Sequence, residues 1–200
     1  DYYSPTITYA LCYYKGIWYF GILIKNSLAW HKHNQKLAHT AINKHKYSKA
    51  LVNITAKANK EKMLLDACCG VSTIMLEVCF AGNNIEVATL MGRYEVDTEN
   101  LSHFNYTSTV YHSDIKDIRT RYEAAIIDLP YNLFSYANEN NILHIIKSTA
   151  EITNRLVIDS TSDITTLINN TGLIISDYCS VNKRGKANLN RKIWVCEKNG

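Results

Sequence analysis

The chain has 200 residues, of which 46% are hydrophobic, so it is long enough to bury one substantial core. Its net charge of +4 is mild, and no apolar run is long enough to span a membrane. Because no basic-then-apolar leader precedes the first predicted strand, we expect a soluble, cytoplasmic protein. The sequence begins at Asp1 without a methionine, and we expect it to be a piece of a longer chain.

The N-terminal segments predict a β-hairpin followed by a helix. Residues 6–14 and 17–24 are rich in aromatic and β-branched side chains, and Lys15-Gly16 separates them. Residues 27–40 are polar and predict a loop, and residues 41–58 carry part of an apolar stripe at helical spacing. We therefore expect an N-terminal extension over residues 1–58 and a main domain over residues 59–200.

A basic segment covers residues 25–62. It holds nine of the 22 Lys and Arg residues and a single acid, Glu61. Such a segment favours a polyanionic partner, although a solvated helix face gives the same pattern. The two interpretations have equal weight.

Cysteine and histidine spacing argues against a metal site. No pair of cysteines has Cys-x-x-Cys spacing, and the histidines of the basic segment have no acid or cysteine at ligand spacing. We expect all six cysteines to be small buried hydrophobes in a reducing compartment: Cys12, Cys68, Cys69, Cys79, Cys179 and Cys196.

From residue 63 onward strands and helices alternate, which predicts a doubly wound, Rossmann-like α/β sheet. The predicted strands are 63–67, 85–89, 109–112, 124–128, 156–159, 173–180 and 192–196. The predicted helices are 73–80, 94–104, 115–121, 138–153 and 163–168. The last two strands have no helix between them, so we expect them to form an antiparallel hairpin.

The turn after the first of these strands is a candidate ligand site. Asp66 stands where the strand ends, small residues follow through Gly70, and a helix begins near Thr73. A strand, a tight turn and a helix N-terminus form the usual ligand crevice of open α/β sheets. An ordinary strand-to-helix connection has the same pattern, and Asp66 could simply cap the helix.

The stretch Asp128-Leu129-Pro130-Tyr131-Asn132 ends a second apolar strand. It resembles the Asp/Asn-Pro-Pro-Tyr/Phe motif of methyltransferases that alkylate exocyclic amines. An exocyclic amine becomes a better nucleophile when a carboxylate and a carbonyl accept its hydrogens and orient its lone pair. The Tyr131 ring offers a face on which a base can stack.

Nearly the whole chain resembles the methyltransferase half of the THUMP-associated RNA methyltransferases, which modify guanine N2 in tRNA. The segments that carry this resemblance, in chain order, are residues 18–21, 49–54, 66–70 with Glu77, 100–104, 127–132 and 191–197. The resemblance implies a class I methyltransferase sheet of seven strands with a C-terminal antiparallel hairpin. It also implies S-adenosylmethionine as methyl donor, structured RNA such as tRNA as acceptor, and an N-terminal THUMP-type module that this sequence does not contain.

The resemblance also assigns the candidate site residues. The catalytic set is Asp128, Pro130 and Tyr131; the cofactor-binding set is Asp66, Cys68, Gly70, Glu77, Thr89 and Asp114; the substrate-binding set is Leu129, Asn132 and Phe134. Glu77 could equally be a surface residue, Asp114 could be an N-cap, and Phe134 could be simple packing.

Three departures from the family pattern all concern the cofactor. Ser72 stands where a second glycine is usual, and Thr89 stands where an acid usually accepts the ribose hydroxyls. Residues 35–40 lack the usual proline. A degenerate relative that binds RNA but little or no cofactor is therefore the main alternative, and an amino-methyltransferase of DNA is a weaker one.

Overall fold

The computed structural model describes residues 6–24, 45–57, 59–70, 72–88, 94–129, 138–183 and 189–198. The chain divides into two compact units, residues 1–32 and residues 33–200. The helix that we expected to belong to an N-terminal extension lies in the second unit. The division after residue 58 stays a prediction.

The first unit is the predicted hairpin. Strands β1 (Tyr9–Tyr14) and β2 (Ile17–Ile22) pair antiparallel, with Tyr14 opposite Ile17. The two connecting residues, Lys15 and Gly16, both have positive φ, at 48° and 82°. Positive φ at both positions gives a two-residue turn whose twist matches that of the strands, so the turn supports the hairpin.

The second unit is a sheet with helices on both faces. Its helices are α1 (His45–Ala56), α2 (Thr73–Ala81), α3 (Tyr94–His103), α4 (Glu139–Ile152) and α5 (Thr165–Asn169). Its strands are β3 (Met63–Asp66), β4 (Asn84–Ala88), β5 (Thr109–Tyr111), β6 (Ala124–Asp128), β7 (Arg155–Ser160), β8 (Ile174–Lys183) and β9 (Leu189–Glu197).

The sheet has seven strands in the order β5-β4-β3-β6-β7-β9-β8. The first five strands are parallel, and β9 runs antiparallel to both β7 and β8. The predicted doubly wound sheet and its C-terminal hairpin are therefore confirmed.

The central strands are apolar throughout because both faces of the sheet are covered. On one face, Leu64 of β3, Ile126 of β6 and Val157 of β7 form a buried cluster with residues of α1, α2 and α3. On the other face, Leu65 and Ile127 belong to a second cluster that includes residues of α4 and α5. Two adjacent residues of one strand thus belong to two cores.

The predicted helix over residues 115–121 is wrong in length. The structure has a single 3₁₀ turn at Ile115–Asp117, and Ile118 is already extended, with φ −76° and ψ 133°. Two apolar residues three apart can be buried by one turn, and a segment this short gains too few hydrogen bonds to continue as an α-helix.

The prediction that all the cysteines are buried is wrong for two of them. Cys69 and Cys196 are buried, whereas Cys12 and Cys179 are exposed. Cys12 lies in β1, where five of the six residues are exposed, and Cys179 lies in β8 at the edge of the sheet. Within the described residues no group of His, Cys, Asp and Glu could hold a metal ion, and no helix could span a membrane.

Candidate active site

Three acids lie at the carboxyl ends of the parallel strands β3, β6 and β7, on the face covered by α1, and Arg191 lies beside them near the start of the antiparallel strand β9. Asp66 ends β3, Asp128 ends β6, and Asp159 of β7 pairs in register with Asp128. Arg191 of β9 is two residues from Ile193, which belongs to the buried cluster of this face. β4 and β5 lie to one side of β3, and β6 and β7 lie to the other side. The direction in which successive strands are added to the sheet therefore reverses between β3 and β6, and this position is the switch point of the sheet. Open α/β sheets bind ligands at this position.

Asp66 is fully buried. One carboxylate oxygen, Oδ1, accepts the backbone N–H of Cys68 at 3.2 Å, and Oδ2 has no hydrogen-bond partner among the described residues. Burial raises the pKa of Asp66 to about 8, and the negative charges of Asp128 and Asp97 add to this. The carboxyl group is therefore mostly protonated at neutral pH, with one polar atom left for a ligand.

Among the described residues of the turn after Asp66, two have left-handed backbones. Gly70 has φ 64° and Ser72 has φ 67°. Glycine adopts this conformation without strain, whereas a serine does so at a cost. Ser72 lies immediately before α2, where its side chain makes no capping hydrogen bond.

The side chain of Ser72 instead binds a buried acid. Its hydroxyl donates to the Asp97 carboxylate, and both residues are fully buried. The hydrogen bond fastens the turn to the first half of α3. This contact explains how a serine is held where the family resemblance calls for glycine.

Arg191 joins Asp128 to Asp159. Its Nη2 donates to Oδ1 of Asp128 at 2.8 Å, its Nε donates to Oδ1 of Asp159 at 3.1 Å, and Nη2 also donates to Oδ2 of Asp159. The Tyr47 ring of α1 lies against the guanidinium, with 4.4 Å between Cζ and the ring centroid. A planar guanidinium suits both a two-point contact with a carboxylate and stacking on an aromatic ring.

Solved structures similar to this chain share this architecture. A magnesium protoporphyrin IX methyltransferase from Synechocystis with bound SAM has a TM-score of 0.65 at 15% identity, over 78% of this chain and 79% of that one. A proposed RNA methyltransferase from Pyrococcus horikoshii has a TM-score of 0.65 at 15% identity, over 87% of this chain and 91% of that one. The chain has the class I methyltransferase fold.

TrmN from Thermus thermophilus is also similar, with a TM-score of 0.65 at 14% identity. The match covers 100% of this chain and 62% of TrmN. No protein-family model and no curated protein sequence matches the chain. At these identities the likeness to solved structures establishes the fold.

The class I methyltransferase fold brings several of the predicted residues to one place. Asp66, Cys68 and Gly70 lie on the turn beside the switch point, and Glu77 is buried in α2, so it is not a surface residue. Leu129 is buried as well, and its N–H donates to the Asp159 carbonyl at 3.0 Å. The Leu129 side chain packs in the core. Its predicted contact with substrate would therefore be made by backbone atoms.

Asp114 has a capping role in the structure. Its carboxylate accepts the Lys116 N–H at 3.1 Å and caps the 3₁₀ turn, and His144 Nε2 lies 3.5 Å from its Oδ1. Burial is the largest single effect and acts to raise the pKa of Asp114, but the capping hydrogen bond from Lys116 and the nearby charges of Lys116 and His144 together outweigh it and lower the pKa. A role in cofactor binding stays a prediction for this residue.

Several predicted residues lie outside the described part of the chain. They are Thr89, Pro130, Tyr131, Asn132 and Phe134, together with residues 25–44 of the basic segment. Glu86, which precedes the expected position of the ribose acid, is described. Its carboxylate accepts the hydroxyl groups of Tyr111, at 3.1 Å, and Tyr122.

Sequence reasoning missed Tyr47, Asp97 and Asp159 and did not assign a role to Arg191. A signal was present in the alternation of the strands. Arg191 has the same parity as Ile193 and Val195, so a charged residue falls on the apolar face of a strand. Asp159 stands in the same relation to Val157, and a buried charge on such a face needs a partner.

Proposed function

We propose that this protein is an S-adenosylmethionine-dependent methyltransferase that modifies an exocyclic amine of a base in RNA, with guanine N2 of tRNA as the specific acceptor. The observation that carries the proposal is the placement of Asp66 and Asp128 at the carboxyl ends of neighbouring parallel strands, on either side of the switch point. A cofactor held at Asp66 and an amine held at Asp128 would meet between these strands.

The residues around Asp66 fit the cofactor. Oδ2 of Asp66 is buried without a hydrogen-bond partner among the described residues, so a cationic amino group would satisfy it. Gly70 has a left-handed backbone, and the N–H of Cys68 keeps the Asp66 carboxyl in place. Asp66, Cys68 and Gly70 would hold the methionine end of S-adenosylmethionine, with Glu77, Thr89 and Asp114 as the further predicted contacts. When bound, the cofactor supplies a methyl group activated by a sulfonium.

Asp128 would act on the acceptor. An ionised carboxylate at the end of β6 accepts a hydrogen bond from the exocyclic amine and points the nitrogen lone pair towards the methyl group. Orientation of this kind requires no proton transfer to Asp128 before the methyl group moves. Pro130 would direct the chain after β6, and Tyr131 would stack on the base, with Leu129, Asn132 and Phe134 around it.

An RNA acceptor is supported by three observations. One similar structure is that of a proposed RNA methyltransferase, the TrmN match extends over all of this chain, and residues 25–62 are strongly basic. A basic segment attracts the phosphate backbone without reading its sequence. Selection of one tRNA nucleotide would then depend on a THUMP-type module outside this sequence. The reaction would take place in the cytoplasm.

A protein that has the fold but does not bind the cofactor is the second candidate. The observation that favours it is the complete burial of Asp66, which raises the pKa of its carboxyl group, because a neutral carboxyl group binds a cationic amino group weakly. Ser72, which has a left-handed backbone where the family resemblance calls for glycine, also favours the second candidate. Such a protein would bind RNA as a structural partner and transfer no methyl group.

Calorimetric titration with S-adenosylmethionine and with S-adenosylhomocysteine decides between the two candidates. We expect micromolar binding that Asp66→Ala abolishes, and methyl transfer from radiolabelled cofactor to unmodified tRNA transcripts. Glu197→Gln, at the opposite edge of the sheet, is the matched control and should bind as the unaltered protein does. No binding at millimolar cofactor by a folded sample would overturn the proposal in favour of the second candidate.

A further inference from the structure

A buried arginine connects the two strand ends nearest to the proposed reaction. The Arg191 side chain is 3% exposed, and that of Asp159 is 0% exposed. The Asp128 side chain is 15% exposed, so among these three residues it alone reaches the surface. A substrate can therefore approach Asp128, whereas Arg191 and Asp159 act from behind it.

The sheet and Arg191 hold the two aspartates next to each other. Asp128 and Asp159 are register partners in adjacent parallel strands, which places their backbones about 4.8 Å apart, and both carboxylates accept a hydrogen bond from Nη2 of Arg191. Two carboxylates at such a distance in a buried site do not both ionise at neutral pH unless a cation lies between them. Burial and the charge of Asp128 raise the pKa of Asp159, and Arg191 opposes this increase.

Arg191 binds Asp159 and Asp128 unequally. It donates twice to Asp159 and once, at 2.8 Å, to Oδ1 of Asp128, and it is stacked on Tyr47. Asp159 and Tyr47 together therefore fix the guanidinium. The guanidinium in turn sets the direction of the Asp128 carboxylate.

We infer that Arg191 is a positioning residue, which keeps Asp128 ionised and correctly oriented while Asp159 anchors the guanidinium. The inference rests on the proposed function, since it assigns Asp128 the role of amine acceptor. Without Arg191 the two carboxylates would share a proton. A half-protonated Asp128 accepts a hydrogen bond from the amine less well.

Other titratable groups also face Asp128 from the elements packed around it. They are Tyr47 from α1, Asp66 from β3, Cys68 from the following turn, Asp159 from β7 and Arg191 from β9. Burial raises the pKa of Tyr47 and of Cys68 well above the neutral range. Burial also raises the pKa of Asp66, and Asp66 has no hydrogen bond with Arg191 among the described residues. Asp159 is the register partner of Asp128 and shares Arg191 with it, so Asp159 is the group that competes with Asp128 for a proton when Arg191 is removed.

The test is the pH profile of kcat for methyl transfer to unmodified tRNA transcripts. In Arg191→Gln we expect the acid limb of the profile to move up by about 1–3 pH units, with a lower plateau because orientation is lost. In Arg191→Gln/Asp159→Asn the competing carboxyl is gone, so the acid limb should return towards its original position. A purely structural role for Arg191 cannot produce this return.

Two further variants complete the design. Arg191→Lys retains the positive charge but loses the planar guanidinium that binds two carboxylates at once. The acid limb should therefore stay in place, kcat should fall, and KM for tRNA should be unchanged. If Arg191→Gln does not fold, the Lys variant alone decides, and an unchanged kcat would overturn the inference.

Arg155→Gln is the matched control, because Arg155 is also largely buried and binds Glu197 at the far edge of the sheet. It should lower stability and leave the acid limb unchanged.

A carboxyl titration by NMR on protein labelled with ¹³C-aspartate separates the two proposals. If Arg191→Gln raises the titration point of the Asp128 carboxyl, assigned through Asp128→Asn, but the unaltered protein transfers no methyl group, the proposed function is wrong and the charge pairing stands. If the unaltered protein is active and the acid limb is the same in Arg191→Gln, the inference alone is overturned.

Discussion

Charged side chains are buried differently at the two ends of the parallel strands. We call the side of the sheet at their carboxyl ends the carboxyl edge and the side at their amino ends the amino edge. At the carboxyl edge, Asp66 and Asp159 are fully buried, and Asp128 is partly buried against Arg191. At the amino edge, an open cleft is lined by Lys57, Lys62, Glu123, Asn154, Arg155, Glu197 and Lys198. There the Lys57 and Glu197 side chains lie 3.2 Å apart and are 57% and 40% exposed.

The difference shows where the fold carries an energetic cost. Solvent screens the exposed pair of Lys57 and Glu197, so this pair neither gains nor loses much. Buried carboxylates at the carboxyl edge lose their hydration and raise one another's pKa. Groups with perturbed pKa values cluster at functional sites. The difference in burial between the two edges therefore indicates that the functional site lies at the carboxyl edge.

The largest expected effect is on catalysis at the carboxyl edge. Asp128→Asn should lower the rate of methyl transfer in single turnovers by about 10²–10³-fold, because the amide cannot accept from the amine as a carboxylate does. Binding of S-adenosylmethionine should be unchanged. Glu197→Gln removes a carboxylate at the amino edge and should leave the rate unchanged; equal losses in both variants would contradict the comparison.

The next effect is the pH dependence of stability. The pKa of Asp66 is raised from 3.8 to about 8, so the folded state holds a proton that the unfolded state has released between these values, and stability falls as pH rises through this window. The unfolding free energy of Asp66→Asn relative to the unaltered protein should therefore increase with pH, by at most about 1.4 kcal/mol per pH unit. Urea unfolding at pH 5, 6, 7 and 8 measures it.

Glu197→Gln is the control from the other edge. The hydrogen bond from Lys57 lowers the pKa of Glu197, so its contribution to stability is complete above its unfolded pKa and is lost only as pH falls through the lowered value. Its difference from the unaltered protein should be constant between pH 6 and 8. A slope like that of Asp66→Asn would show that the slope does not depend on burial.

A smaller effect separates the two functions of Ser72. Ser72→Ala removes the hydroxyl that binds Asp97 and retains the strained backbone, so it should lower the unfolding free energy by about 2 kcal/mol. Ser72→Gly loses the same hydrogen bond but relieves the left-handed strain, which returns about 1 kcal/mol. The expected order of stability in urea unfolding is Ser, then Gly, then Ala. A glycine variant more stable than the serine protein would mean that the Asp97 contact contributes little.

The smallest effect belongs to the amino edge. Lys57→Ala breaks an exposed pair and should cost less than about 1 kcal/mol of unfolding free energy, and less still in high salt. Thermal unfolding at two ionic strengths measures it. A loss as large as that of Ser72→Ala would show that the amino edge is not merely screened surface.

The sequence by itself determined the order and kind of nearly all the elements. Continuous apolar runs such as that of β6 and the alternation of strands with helices predict a doubly wound sheet, because both patterns are local and follow from covering two faces. The pattern also located Asp66 and Asp128 at strand ends. The exception, the segment after Asp114, is too short for periodicity to distinguish one turn from a helix.

Only the tertiary structure decided which charged groups meet. Arg191 lies 63 residues from Asp128 along the chain, and Ser72 lies 25 residues from Asp97. Strand order and register bring the first pair together, and helix packing brings the second. Neither is encoded within a local window. Burial is likewise a property of the assembled sheet, which is why the raised pKa of Asp66 and the pairing of two aspartates through one arginine could not be deduced from residue type and spacing alone.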